Sequence, residues 1–126
     1  MVSNSSHHSI VDEAIMAQMR ALAPDSQWLL DLYDQFVTQT QEQLVKLKHA
    51  FETSDKEASL FLLHAMKSSA RQVGATQFAQ QLEGFEAYLE LEKESPSLQS
   101  YLELEVQFAR FSETIKVVLK QEKGTA

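Results

Sequence analysis

Cysteine is absent from the 126-residue chain, which removes disulfide frameworks, thiol nucleophiles and thiolate metal sites together. Glycine and proline are scarce, at three and two residues. So little turn material argues against a sandwich or barrel of many short strands and for a few long helices. No apolar run approaches the ~18 residues of a spanning helix. The opening residues, Met1 to His8, are polar and lack the apolar stretch of a secretion signal. Cations are outnumbered, 11 Lys and Arg against 18 Asp and Glu, for a net charge of −7. That balance disfavours nucleic acid or an anionic membrane as a partner. What remains is ordinary: 44% hydrophobic and 23% charged residues, enough for one domain with one core.

The chain divides into a flexible tail, residues 1–8, and a helical domain, residues 9–123. Ser3 to Ser9 is rich in Ser and His, and the His7–His8 pair has no role beyond chance metal binding. Ile10, Val11, Ala14, Ile15, Ala17, Met19 and Leu22 predict a short first helix, with Ser9 as its N-cap and Asp12 three residues on. Pro24 ends it and Asp25 caps a second, longer helix. There Trp28, Leu29, Leu32, Tyr33, Phe36, Val37, Thr40, Leu44, Leu47 and Phe51 recur at helical spacing and form a core face.

Thr53-Ser54-Asp55 breaks the pattern and opens a third helix through Val73. Gly74-Ala75-Thr76 reverses the chain, with Gly able to close a helix in the left-handed conformation. Phe78, Leu82, Phe85 and Leu89 carry a fourth helix. After Glu94-Ser95-Pro96-Ser97, with Pro96 suited to a first helical turn, a last helix runs on Leu98, Tyr101, Leu104, Phe108, Phe111, Ile115, Val118 and Leu119. Lys116, Lys120 and Lys123 lie near its end, where cations complement the helix dipole. The expected fold is all-α: an antiparallel up-down-up-down four-helix bundle with a short extra N-terminal helix.

On a wheel of about 100° per residue, Ala58, Leu62, Ala65, Met66, Ser69 and Val73 make the buried stripe of the third helix. His64 lies opposite, in a solvent-facing strip with Glu57, Leu60, Lys67, Ser68 and Arg71. Lys67 and Arg71 put positive charge where a phosphoryl group on the imidazole would lie. Ser68 is small enough to let another protein approach, and Leu60 is an apolar docking contact. Folding back about a turn near Ala75 sets His64 level with Glu86, or with Glu83 if the register slips one turn. A carboxylate there would accept the imidazole Nδ1–H and leave Nε2 with the free lone pair.

Other readings are bland. His49, beside Lys46 and Lys48, is an ordinary surface residue. A di-iron bundle needs Glu-x-x-His pairs, and the positions three before His64 and His49 are Phe61 and Lys46. No metal or cofactor site is expected.

The run His64-Ala65-Met66-Lys67-Ser68-Ser69-Ala70-Arg71-Gln72-Val73-Gly74-Ala75, with Leu82-Glu83 beyond it, resembles the signature of histidine-containing phosphotransfer (HPt) domains. His64, Lys67, Ser69, Gly74, Ala75, Leu82 and Glu83 match; Ser68 departs, standing where the family usually has Gly. The likeness spans roughly residues 10 to 120. It implies a carrier that accepts a phosphoryl group on His64 from an aspartyl-phosphate receiver domain and relays it to a response-regulator receiver. A hybrid sensor histidine kinase would stand upstream, with any Mg²⁺ brought by the receiver. It also implies a monomer with no nucleotide site, and the three scattered glycines form no phosphate loop. A free-standing cytoplasmic protein is expected. The alternative is a helical interaction module that docks signalling domains without carrying phosphate.

Overall fold

The computed structural model describes residues 10–92 and 94–124 and is all-helical, with no strand among them. Among the described residues five full helices follow in order: α1 (Glu13–Leu22), α2 (Ser26–Glu52), α3 (Lys56–Gln72), α4 (Thr76–Leu91) and α5 (Leu98–Gly124). The expected tail, with its His7–His8 pair, and the Ser9 cap lie outside the described residues, as does the Lys123 side chain. No helix among the described residues is long and apolar enough to cross a membrane.

Local chemistry sets the boundaries. Asp25 caps α2 by accepting the Trp28 N–H at 2.8 Å, and Asp55 caps α3 by accepting that of Ala58 at 3.0 Å. Gly74 takes φ +84° between α3 and α4, a conformation costly to any residue with a Cβ. Two starts differ from expectation. α1 begins at Glu13, not Ile10, because the Asp12 carboxylate accepts the Ala14 and Ile15 N–H groups at 2.9 and 3.1 Å. Asp12 is itself tied down, its N–H donating to the Gly74 carbonyl at 2.8 Å. Pro96 is buried ahead of α5 and does not form its first turn. Ser97 holds the capping place, its hydroxyl accepting the Ser100 N–H at 3.1 Å.

The core runs between α2, α3, α4 and α5. α3 packs on α2 and α4, and α5 packs on α2 and α4. Aromatic rings join them: Phe36 meets Phe108 and Phe111, Phe51 meets Phe85 and Tyr101, and Phe78 meets Phe108. Two tyrosines bring their hydroxyls inside and satisfy them there. Tyr33 donates to the Val73 carbonyl and Tyr101 to the Leu44 carbonyl, both at 2.9 Å. Trp28 is not core; it stands 40% exposed on the first turn of α2. Leu98 also faces outward, and in α1 the inward residue is Met16 while Ala14, Ala17 and Leu22 are exposed.

α3 is turned relative to the wheel. Its buried residues are Ser59, Leu63, Met66 and Ala70, with Val73 at its cap, whereas Ala58, Leu62, Ala65 and Ser69 are half-buried. The cause is the close α3–α4 hairpin, where Ala70, Ala75 and Ala79 are all buried and let the helices approach. A wheel read from one helix sees apolar content but not which neighbour is nearest. This rotation decides the environment of the histidine strip.

Candidate functional site

His64 lies near the middle of α3, and its side chain is 71% exposed. The helix rotation keeps it in solvent because Leu63, on its N-terminal side, takes the inward direction at 0% exposure. Across the hairpin, α4 brings Glu86 level with it, as the position of the turn predicts. The imidazole Nδ1 is 3.6 Å from Glu86 Oε2. That separation suits an ion pair if the ring is protonated, but it is longer than a hydrogen bond.

The other oxygen of Glu86 is occupied. Lys67 Nζ meets Oε1 at 2.5 Å, and the two side chains are only 13% and 16% exposed. Lys67 therefore departs from the expected solvent-facing cation. Its methylene stem lies along the α3–α4 seam and its charge is matched internally. Glu86 thus touches the surroundings of both the imidazole and the nearest cation. Glu83, one turn earlier in α4, does not reach His64. It accepts from Arg71 at 3.2 Å, in a pair about half exposed on each side.

On the outer face, Ser68 is exposed as expected. Leu60 is not the exposed apolar contact that the wheel suggests. It is half-buried and packed on the core, drawn in by the same rotation that covers Leu63. Its place is taken by Phe61, one turn before His64 and 75% exposed. Sequence reasoning placed Phe61 only as a missing metal ligand. The available signal was its three-residue spacing from His64, which sets both on one face. Phe61 and His64 thus stand bare together on the outer face of α3. His49 is exposed at the end of α2, where its carbonyl accepts from Thr53.

Chemically, the arrangement offers one accessible ring nitrogen for a nucleophile, a carboxylate at the other ring nitrogen, and a cation one helical turn away. Among the described residues no group of three or more His, Asp or Glu could hold a metal ion. The comparisons add one finding. The family description of the Hpt domain matches residues 31–120, well over half of the chain. No curated protein and no solved structure matches it.

Proposed function

The chain belongs to the Hpt domain family, and from that we propose that it is a phosphorelay carrier whose phosphoacceptor is His64. The observation that carries this reading is the pairing of an exposed imidazole with Glu86 at its Nδ1 edge and Lys67 on the same carboxylate. Hpt domains serve histidine phosphotransfer in phosphorelays, with receiver domains and kinases as partners. In this protein the donor is an aspartyl phosphate on a receiver downstream of a hybrid sensor kinase, and the acceptor is an aspartate on a response-regulator receiver.

The chemistry asks little of the carrier. His64 Nε2 forms the N–P bond as the P–O bond to the donor aspartate breaks, and the carboxylate leaves with its electron pair. Nδ1 keeps its proton, so the ring gains positive charge, which the Glu86 carboxylate offsets. Lys67, a turn from the imidazole, neutralises charge on the equatorial phosphoryl oxygens. Onward transfer reverses these bonds. The receiver supplies Mg²⁺ and the carrier needs no nucleotide of its own. Ser68 keeps the approach clear, Phe61 is the apolar contact, and Arg71 with Glu83 forms the charged rim. The protein acts as a cytoplasmic monomer, and α2 to α5 form the up-down-up-down bundle that displays His64 at mid-height. The cross-helix pairs Phe36–Phe111 and Tyr101–Leu44 support that arrangement.

The test is transfer from a receiver charged with labelled acetyl phosphate. The expected result is an acid-labile, base-stable label on the wild type and none on His64→Gln. Label retained by His64→Gln would move the acceptor elsewhere. A competent receiver that binds but leaves the wild type unlabelled would favour the docking module without phosphate.

A further inference from the structure

A groove of about 380 Å³ opens between α4 and α5, with Gln81, Gly84, Tyr88, Ser100 and Glu103 in its lining. It lies on the flank of α4 that faces α5, whereas Glu86 and the imidazole lie on the flank facing α3. Nothing in the phosphotransfer reading uses it.

Three observations point to an occupant. Gly84 sits inside α4 without positive φ, and a Cβ built there would meet no atom within 4 Å. Neither backbone conformation nor internal packing requires glycine at this helical position, where it is unfavourable. The Gln81 side-chain oxygen is shut off from solvent and accepts no hydrogen bond, and a turn of this partly exposed side chain would bring it to a donor in the groove. Lastly, the described lining residues carry a carboxylate, Glu103, and no cation, in a chain of net charge −7.

We propose that this groove is a docking site for an arginine side chain carried by a partner protein. The guanidinium is planar, rich in donors and permanently charged. It would lie against the ring of Tyr88, which is 40% exposed, in a cation–π contact. Its N–H groups would donate to the Glu103 carboxylate and, after a rotation of the flexible Gln81 side chain, to the oxygen that now lacks a partner. Gly84 leaves room for the aliphatic stem. Because the groove and His64 occupy different flanks, a partner held here leaves the imidazole free for a receiver.

The experiment is an amide NMR titration of the full chain with acetyl-Gly-Arg-Gly-amide, and with the matching citrulline and lysine peptides. The arginine peptide should shift resonances of Gln81, Gly84, Tyr88 and Ser100. Citrulline, which keeps the shape but not the charge, should bind roughly tenfold more weakly. Gly84→Leu, which fills open space, and Glu103→Gln should each abolish the localised shifts while leaving transfer to His64 unchanged. Shifts spread evenly over the acidic surface, equal binding of lysine and arginine, or indifference to Gly84→Leu would each overturn the proposal. Concentration-dependent shifts in the groove without peptide would instead assign it to a second copy of the chain.

Discussion

Lys67 is the cation nearest to His64 along the helix, and it is already paired. On the proposed function, Lys67→Ala would remove charge from the transferring phosphoryl, and it also releases Glu86 beside the ring. We expect the transfer rate to fall by about tenfold to a hundredfold, with receiver affinity changed much less, in rapid-quench kinetics against a titration of receiver binding. Phe61→Ala should do the reverse. On the proposed function, this exposed aromatic serves docking and not the chemistry. Receiver affinity should weaken by roughly 1–3 kcal/mol, while thermal unfolding stays within about 0.5 kcal/mol of wild type. His64→Gln should likewise unfold as the wild type does, since 71% of its side chain is in water. A large loss of stability there would contradict the exposed placement of the ring.

At the scale of elements, two glycines carry opposite expectations. Gly74 takes φ +84°, and a Cβ there would lie 3.3 Å from the Asp12 carbonyl oxygen and from the Ile15 Cβ. Gly74→Ala should therefore cost about 2 kcal/mol, from the left-handed backbone and the crowded α1 junction together. Gly84→Ala meets open space on a helix and should add about 1 kcal/mol, visible as a rise of a few degrees in Tm. The same contrast explains how much of the fold could be read beforehand. The starts of α2 and α3 and the α3–α4 reversal were legible because Asp25, Asp55 and Gly74 act on backbone groups within a few residues. The level of Glu86 opposite His64 followed from the position of that reversal. The rotation of α3 was not legible, because it depends on how closely α4 packs, and with it went the placement of Leu60 and Lys67. The start of α1 was missed for a similar reason: its anchor, the Asp12 to Gly74 hydrogen bond, joins residues far apart in sequence.

For the whole molecule, the buried tyrosines set the alkaline limit. Burial raises the Tyr33 hydroxyl to about 12, opposed in part by the Arg20 charge, and burial with the neighbouring Glu105 carboxylate raises Tyr101 as well. The folded state thus holds these protons more tightly than the unfolded chain. Their stabilisation is complete below the ordinary tyrosine value of about 10 and declines as pH rises from there through the folded values. Denaturant midpoints should hold level from about pH 8 to 9.5 and fall steeply above pH 10. Tyr33→Phe should make that fall shallower while losing the hydrogen bond to Val73. A midpoint that does not move up to pH 12 would contradict the buried placement of both hydroxyls.

The internal pairing of Lys67 with Glu86 and of Arg71 with Glu83 also bears on how fast a partner arrives. Four opposite charges matched within the carrier project almost no field beyond a few ångströms, so the face around the imidazole does not pull a receiver in from a distance. On the proposed function, capture there would rest on diffusion followed by apolar contact at Phe61. Raising ionic strength should leave the encounter rate constant nearly unchanged, whereas a steep fall with added salt would contradict the internal pairing.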